Sequence, residues 1–582
     1  LHAPSCTEAR ALPRRPTAPA GRAPRLLARA AALRLALAAA LLASSAAPAQ
    51  TPGPGGAPAA EEAEAAEAAV EGTLAAVRAR GELLWGMDAQ GGAPYTFQDP
   101  MEPNRLIGFE VDLADALAAR LGVRARPVQG QWDRLLELLA RGDVDVAMNG
   151  LEVAEEKRRV CLMSRPYYAA AEKLTVRRDD PRAPASLAAL AGRPVGTLPG
   201  SLAERILQRA GADVRTYDGG QDELYADLKL GRTDAVLLDE PAARFYGGIE
   251  PELDTLPGSF GEVRYAVMVR HGDEALRDAV DRALGELAAD GSLRRIYEKW
   301  GLWNAETAAL LGDADPTPRG VPEAWEAWRA AVGTPPPFLQ RVAERYPATL
   351  ALFARGAALT LFVSVLAMAL AVLAGAGLAF LRTAGPAPVR WLAAAYVEVV
   401  RGTPLLVQLI MVYFGLPQLG LKLEPLAAGV LTLGLNYAAA EAENYRAGLA
   451  SVPRGQAEAA RVLGLSRLQA LRHVVLPQAL RVSLPPMTND FIALLKDSSL
   501  VSLVTLAELT RTYLSLANAM RDHLGLGVVV ALVYLLLGLP FAHLARRAEA
   551  RLGRHLRGAE GGAVGGARGG TAGGAGVPGA GR

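Results

Sequence analysis

Cysteine is nearly absent: Cys6 and Cys161 are the only two in 582 residues. No disulfide framework is encoded, so apolar burial and hydrogen bonding must hold the fold. Cys6 falls in a stretch expected to be removed, and Cys161 reads as a small core residue. Histidine is scarce too, and no His and Cys run has metal-ligand spacing, so neither a metal nor a catalytic site is expected. There is no GxxxxGK(S/T) loop to cradle a triphosphate, which excludes ATP hydrolysis of that kind by this chain alone. An excess of charge of one sign is missing as well. The 62 basic residues face 60 acidic ones, and a net charge of +2 offers no footprint for nucleic acid.

What is present divides the chain by composition, and its length exceeds a single core, so two or more domains are expected. Arg22, Arg25, Arg29 and Arg34 precede a short apolar run, Leu35 to Ala43, and Ala47, Pro48 and Ala49 supply small residues suited to cleavage. About nine apolar residues fall short of the roughly 20 a membrane span needs, so residues 1–49 read as a leader or signal peptide, with an uncleaved anchor as the alternative. Residues 50–71, rich in Pro, Gly, Ala and Glu, read as a disordered spacer. From 72 to 304, apolar runs such as LLWGM and VDVAMNG alternate with helical patterns such as Val111 to Leu121 and Trp132 to Ala140. That alternation predicts parallel sheets covered by helices.

Prolines then mark 305–345 as a linker, where Trp325 and Trp328 suit a bilayer interface. The all-α segment 346–557 is apolar, with five spans expected near 356–381, 391–416, 426–448, 486–508 and 524–543. Glu398, Arg401, Glu441, Glu443, Asp490 and Lys496 fall in or near those spans, at helix ends or facing an interface or polar path. Residues 558–582 are Gly and Ala rich and read as a disordered tail.

One polar stretch, 451–477, interrupts the apolar half. Ser451 and Pro453 read as a helix start and Gly464 as its stop; Ser466 opens a second helix, with Gln469 completing a capping box and Leu465 as a hydrophobic staple. Two short helices joined by a glycine corner form a knob fit for docking. Glu458, Ala459 and Ala460, then Gly464, then Val474, Val475, Leu476 and Pro477 resemble the cytoplasmic coupling loop of membrane subunits of ATP-binding cassette importers. The flanks LNYAAAEAENYRAGL, SVPRGQ, LPQALR and LLKDSSLVSL, with VRGTPLLVQL at 400–409, resemble the polar amino-acid branch of that family. Val474 stands where isoleucine is usual.

Residues 72–304 resemble the periplasmic amino-acid binding proteins, through IGFEVDLADALAARLG, NGLE, SRPYY, GRPVGTLPGS, YADLKLGRTDAVLLDE and DGSLRRIYEKWGLWN. The resemblance implies a bilobed α/β domain closing on its ligand, with lobe one at about 82–172 plus 265–304 and lobe two at about 175–262. A cleft for a free amino acid must offer a cation to the α-carboxylate and an anion to the α-ammonium, because burying either charge unpaired costs several kcal/mol. Asp239 falls where the family places the ammonium-binding aspartate. Asp88 falls at a polar cleft contact, although a turn residue fits equally. Trp132 matches an aromatic that covers the ligand, and Asn149, Gly150 and Ser201 fall where donors face it. Where the family pattern reads Thr-Pro-Glu-Arg, this chain has Ala154, Glu155, Glu156 and Lys157, so a point charge replaces a bidentate guanidinium, unless Arg158 turns inward. Gly91 or Gly92 takes the place of a usual tyrosine wall. Glu152 favours a cationic ligand side chain if unpaired, but it equally suits neutralising Lys157 or Arg158.

The resemblances together imply a fused solute-binding and permease subunit of an ATP-driven importer for amino acids or similar small polar solutes, set in the bacterial inner membrane. A separate cytoplasmic ATPase and a membrane homodimer are the expected partners, and the chain needs no cofactor of its own. The binding domain lies outside, while Arg382, Arg390, Arg546, Arg547, Arg551, Arg554 and Arg557 mark cytoplasmic segments. A ligand-gated ion channel, or an enzyme on the binding-protein fold with Glu152 as acid, are the rival readings. The purified chain is expected to hydrolyse no ATP; turnover in a preparation free of contaminating ATPase would contradict this.

Overall fold

The computed structural model describes residues 72–565 apart from 91, 218, 219, 334 and 335, with side chains as far as Arg547. The leader, the spacer, Gly91 and the tail beyond 565 lie outside the described residues.

Strand Glu82–Met87 pairs in parallel with Arg124–Gln129 and with Val146–Ala147. Met268–Val269 joins antiparallel and Leu162–Met163 closes the edge, giving the five-stranded sheet of the first lobe. Parallel pairing needs a crossover, and helix Phe109–Leu121 supplies it. Phe109, Leu113, Leu117 and Leu121 recur every four residues and are all buried. In the second lobe Tyr168–Arg177 runs antiparallel to Ala235–Asp239, and Pro194–Thr197 and Asp213–Thr216 extend that sheet in parallel. The first half of Tyr168–Arg177 also pairs with Glu262–Tyr265. These two strands carry the chain between the lobes, and Tyr95, Phe109, Tyr168, Tyr265 and Tyr297 pack where they cross, with Tyr168 stacked on Tyr265 at 5.5 Å.

The expected linker is largely helical and packed. Helix Ala305–Leu311 is capped by Asn304, whose side chain accepts from the Thr307 N–H at 2.7 Å. In helix Glu323–Val332, Trp325 and Trp328 lie one turn apart and close on Phe245 of the second lobe, with ring centroids at 4.5 and 4.8 Å. Both indoles are buried, so they do not serve a bilayer interface. An apolar partner within the protein offers more contact than the half-wet headgroup region.

Helix Tyr346–Ala384 and the segment His523–Arg547 are, among the described residues, the two helices long and apolar enough to cross a membrane. The span expected at 391–416 is broken: Ala387–Arg401 and Leu405–Leu419 meet at 107°, because Gly402, Thr403 and Pro404 interrupt the helical hydrogen bonds. Counted as one span, the pair makes three. Helices Pro425–Ala450 and Leu476–Asp497 stand where two further spans were expected. The first carries Glu441, Glu443 and Arg446, and the second carries Arg481, Asp490 and Lys496 with Pro485 and Pro486 inside it. The second also starts upstream of 486 and gives way to a tight turn, Ser498–Val504. Several of their polar groups meet partners: Arg382 pairs with Glu443, Asn444 bonds Asp490 at 2.7 Å, and Tyr437 bonds Asp497 at 2.7 Å, whereas both Glu441 oxygens are buried without a hydrogen-bond partner. Helix His523–Gly565 continues through the first part of the expected tail.

Candidate functional site: a cleft closed by the membrane domain

A cavity of about 610 Å³ lies between the lobes. Asp88, Trp132, Asn149, Gly150 and Glu152 line it from the first lobe, and Ser201 and Asp239 from the second. Leu406, Ile410, Leu503, Tyr513, Asn518 and His523 line it from the membrane domain.

Asp239 ends its strand and caps the turn that follows, accepting from the Ala242 N–H at 3.2 Å. Its other oxygen accepts from Tyr95 Oη at 2.7 Å, across the lobes, and from Tyr265 Oη. Burial raises the Asp239 pKa, and the two phenols oppose that rise. Glu152 also crosses the lobes: both of its oxygens meet the Leu202 N–H, at 2.9 and 2.8 Å, and Oε2 meets Arg205 at 3.3 Å. The carboxylate thus sits at the N-terminus of helix Leu202–Arg209, where free N–H groups favour an anion. Burial raises its pKa, opposed by Lys157, the Leu202 amide and Arg205.

Ser201 is the cap of that helix; its Oγ accepts from the Glu204 N–H at 3.1 Å and donates to the Leu198 carbonyl at 2.7 Å. Trp132 donates its indole N–H to the Asn149 carbonyl at 2.8 Å, and the Asn149 side chain accepts from the Asp88 N–H at 2.9 Å. The Gly150 N–H is turned to Glu110 at 2.7 Å. A side chain at Gly150 would lie 2.7 Å from the Tyr95 ring, so the turn admits only glycine. Gly92 is equally constrained, because the Tyr246 hydroxyl of the second lobe fills the space a Cβ would need. Lys157 and Arg158 part company. Lys157 Nζ is buried without a hydrogen-bond partner, 5.4 Å from the Trp132 ring, whereas Arg158 is exposed beside Glu155. Burial lowers the Lys157 pKa, and Glu152 counters that.

Three participants escaped sequence reasoning. Glu110, buried beneath Gly150 and bonded by the Tyr167 hydroxyl, has its pKa pushed up to about 7 by burial. Glu172 stands opposite Asp239 in the antiparallel register and lines the cleft. The third is Arg511, from the membrane domain. Its guanidinium reaches Asp88 Oδ1 at 3.0 Å and the Gly130 carbonyl. Asp88 also accepts from the Gln90 N–H at 2.9 Å, Gln129 at 2.8 Å and the Trp132 N–H at 3.0 Å. It is therefore a turn residue and an interdomain contact at once.

Arg511 belongs to helix Leu509–Met520, capped by Glu508, which accepts from the Arg511 and Thr510 N–H groups and from Tyr534 Oη at 3.1 Å. Asn518 on the same helix donates to the Gln90 carbonyl at 2.9 Å. Just past its end, Arg521 pairs with Asp222 and Glu250 of the second lobe, each at 2.8 Å. One helix thus grips both lobes. Elsewhere Lys422 pairs with Asp143 at 2.6 Å, and Arg141 lies over Tyr413 at 3.9 Å.

The knob is built from local rules. Ser451 ends helix Pro425–Ala450, and Pro453, not Ser451, begins helix Arg454–Val462. Pro453 suits that place because its missing N–H would be unpaired there in any case. At the other end the Gly464 N–H bonds the Arg461 carbonyl at 3.0 Å and the Leu465 N–H bonds the Ala460 carbonyl at 3.1 Å, with Gly464 at φ 88°. This is a Schellman stop, which disfavours any Cβ. Ser466 and Gln469 form both arms of the capping box. The second short helix then runs through Leu471–Val475 into helix Leu476–Asp497, with Pro477 in its first turn. Glu458 and Ala459 are exposed and Ala460 is buried. Around the glycine corner Val462, Leu463 and Leu468 are 87%, 84% and 73% exposed, an apolar surface that folding of this chain leaves uncovered.

Residues 83–302 match the bacterial extracellular solute-binding proteins, family 3, and residues 367–554 match the binding-protein-dependent transport system inner membrane component. The glutamine transport system permease protein GlnP of Escherichia coli strain K12 is 38% identical over 203 residues, 34% of this chain and 93% of that protein. The probable glutamine ABC transporter permease protein GlnM of Bacillus subtilis strain 168 is 38% identical over 193 residues, 33% of this chain and 89% of its own. The L-cystine-binding protein TcyJ of Escherichia coli strain K12 is 34% identical over 235 residues, 40% of this chain and 86% of its own.

If Asp239 receives an α-ammonium, Asp239→Asn should weaken amino-acid binding by roughly 2–5 kcal/mol, the range for losing one partner of a buried charge pair. Calorimetry on the purified, folded full chain checks this, and unchanged affinity would remove Asp239 from the site.

Proposed function

The chain belongs to the amino-acid uptake branch of the binding-protein-dependent ABC importers, with solute-binding domain and membrane component in one polypeptide, and on that premise we propose how its parts divide the work. It is a transporter component, not an enzyme, and it works with a separate ATPase in the inner membrane. The channel and enzyme readings find no support among its relatives.

The cleft captures an amino acid, with Asp239 receiving the α-ammonium and Lys157, the buried and unpartnered cation beside Trp132, receiving the α-carboxylate. Glu152 and Asp239 hold the lobes together across the cleft, and Trp132 covers the ligand. The observation that carries this reading is the reach of Arg511 to Asp88, since it joins the capture site directly to the membrane helices. Glutamine and cystine, named in the relatives, are the first candidates for the solute.

On the membrane side the chain crosses five times, the bent pair serving as one crossing and helices Pro425–Ala450 and Leu476–Asp497 as two more. Their charged residues face each other and the polar path rather than lipid. Two copies enclose the path. The knob lies in the cytoplasm, where the ATPase covers Val462, Leu463 and Leu468 and the exposed Glu458 adds charge. ATP hydrolysis moves the knob, and through helix Leu476–Asp497 the movement reaches the spans.

Gly464→Leu tests this division. A Cβ at a left-handed position costs roughly 1 kcal/mol or more, so the corner is expected to re-form differently and present the knob wrongly. Amino-acid binding should persist while ligand-stimulated ATP hydrolysis in the reconstituted complex is lost. Full stimulated hydrolysis and uptake in a normally assembled variant would show that the loop is not the coupling element.

A further inference from the structure

We propose that the cleft is built for an amino acid with a cationic side chain, and that Glu172 is the residue that selects it. The inference rests on the importer reading and names its substrate class. Glu172 lines the cavity, is 1% exposed, and its Oε2 has no hydrogen-bond partner. A buried carboxylate oxygen left unmade costs free energy, and structures retain one where a ligand completes it.

The charge balance shows what the ligand must bring. Three carboxylates, Glu152, Glu172 and Asp239, share this side of the cleft with two cations, Lys157 and Arg205. Arg205 gives its contact to Glu152, at 3.3 Å, and reaches Glu172 only through its field. Asp88 and Arg511 neutralise one another at 3.0 Å. With Glu172 ionised, one negative charge remains among them. A zwitterion adds no net charge and leaves that excess in place, whereas a ligand carrying a guanidinium or side-chain ammonium cancels it. Burial and the neighbouring Asp239 and Glu152 hold the Glu172 pKa well above the usual carboxylate range. A bound cation relieves that penalty; a neutral side chain does not.

Geometry agrees with charge. Glu172 and Asp239 are directly paired across two strands, so their side chains rise from the same face of the sheet. An α-ammonium at Asp239 and a second cation at Glu172 fit one extended ligand lying along that face.

The test uses the purified full chain in lipid nanodiscs with L-arginine, L-lysine, L-glutamine and L-cystine as titrants. L-arginine or L-lysine should bind at least about tenfold more tightly than L-glutamine and L-cystine, a difference of about 1.4 kcal/mol. Glu172→Gln should remove most of that preference while changing L-glutamine affinity little. Glu172→Asp, which keeps the charge, should retain part of it. Tighter binding of L-glutamine or L-cystine by the unaltered chain, or an equal loss for all four titrants in Glu172→Gln, overturns the inference and leaves the importer reading standing. Binding of none of the four by a chain with an intact thermal melt overturns both.

Discussion

The ion pair between Arg511 and Asp88 is the contact on which the arrangement of the molecule depends. It joins residues 423 positions apart, and both side chains are more than nine-tenths buried. Burying two charges costs several kcal/mol each, a cost offset only when the geometry is good and the remaining donors and acceptors are met. Asp88 meets that condition with three further donors; Arg511 has the Gly130 carbonyl besides, while its Nε is buried without a hydrogen-bond partner. The pair is therefore stable only while the binding domain sits on the membrane domain. Undocked, Asp88 regains a free acceptor at the cleft.

The helix that carries Arg511 extends the consequence. From Arg511 to Arg521 it spans about 15 Å at the usual rise per residue. One end is tied to the first lobe and the other to Asp222 and Glu250 of the second. A rigid rod bonded to both lobes fits one lobe separation, the one in which Tyr95 meets Asp239 and Glu152 meets Leu202. At its N-terminus Glu508 also bonds Thr360 and Tyr534, on the two helices that, among the described residues, are long and apolar enough to cross a membrane. A continuous path of polar contacts thus leads from cleft to membrane interior, and it has a mechanical element in the middle.

How much of this was legible in the sequence follows from the range of each interaction. The knob was readable because its determinants are local: Gly464, Ser466 and Gln469 act within a few residues, and of the pair read as the first helix start Pro453 holds that place while Ser451 ends the preceding helix. The bilobed domain was readable from alternating patterns and family motifs, and most of the residues singled out for the cleft line one cavity. Lys157 and Arg158 could not be told apart, since side-chain direction on one turn of helix depends on what packs against it. Glu172 and Arg511 were missed outright, because each matters only through residues brought near by folding. Trp325 and Trp328 misled for the same reason: an exposed-looking pair found Phe245. The spans were blurred where Thr403 and Pro404 bend one and where Glu443 and Asp490 are paired within the bundle, as hydropathy counts charges without seeing their partners.

The central claim is that the cleft reports to the membrane through Arg511 and Asp88. A double-mutant cycle tests it most directly, with Asp88→Asn and Arg511→Gln, singly and together, read as ligand-stimulated ATP hydrolysis by the reconstituted complex. If the pair acts as one unit, each single variant loses most of the stimulation and the double variant loses little more, giving a coupling energy of about 1.5 kcal/mol or above, as for close interdomain charge pairs. Losses that simply add would contradict the account, since the two residues would then be acting independently.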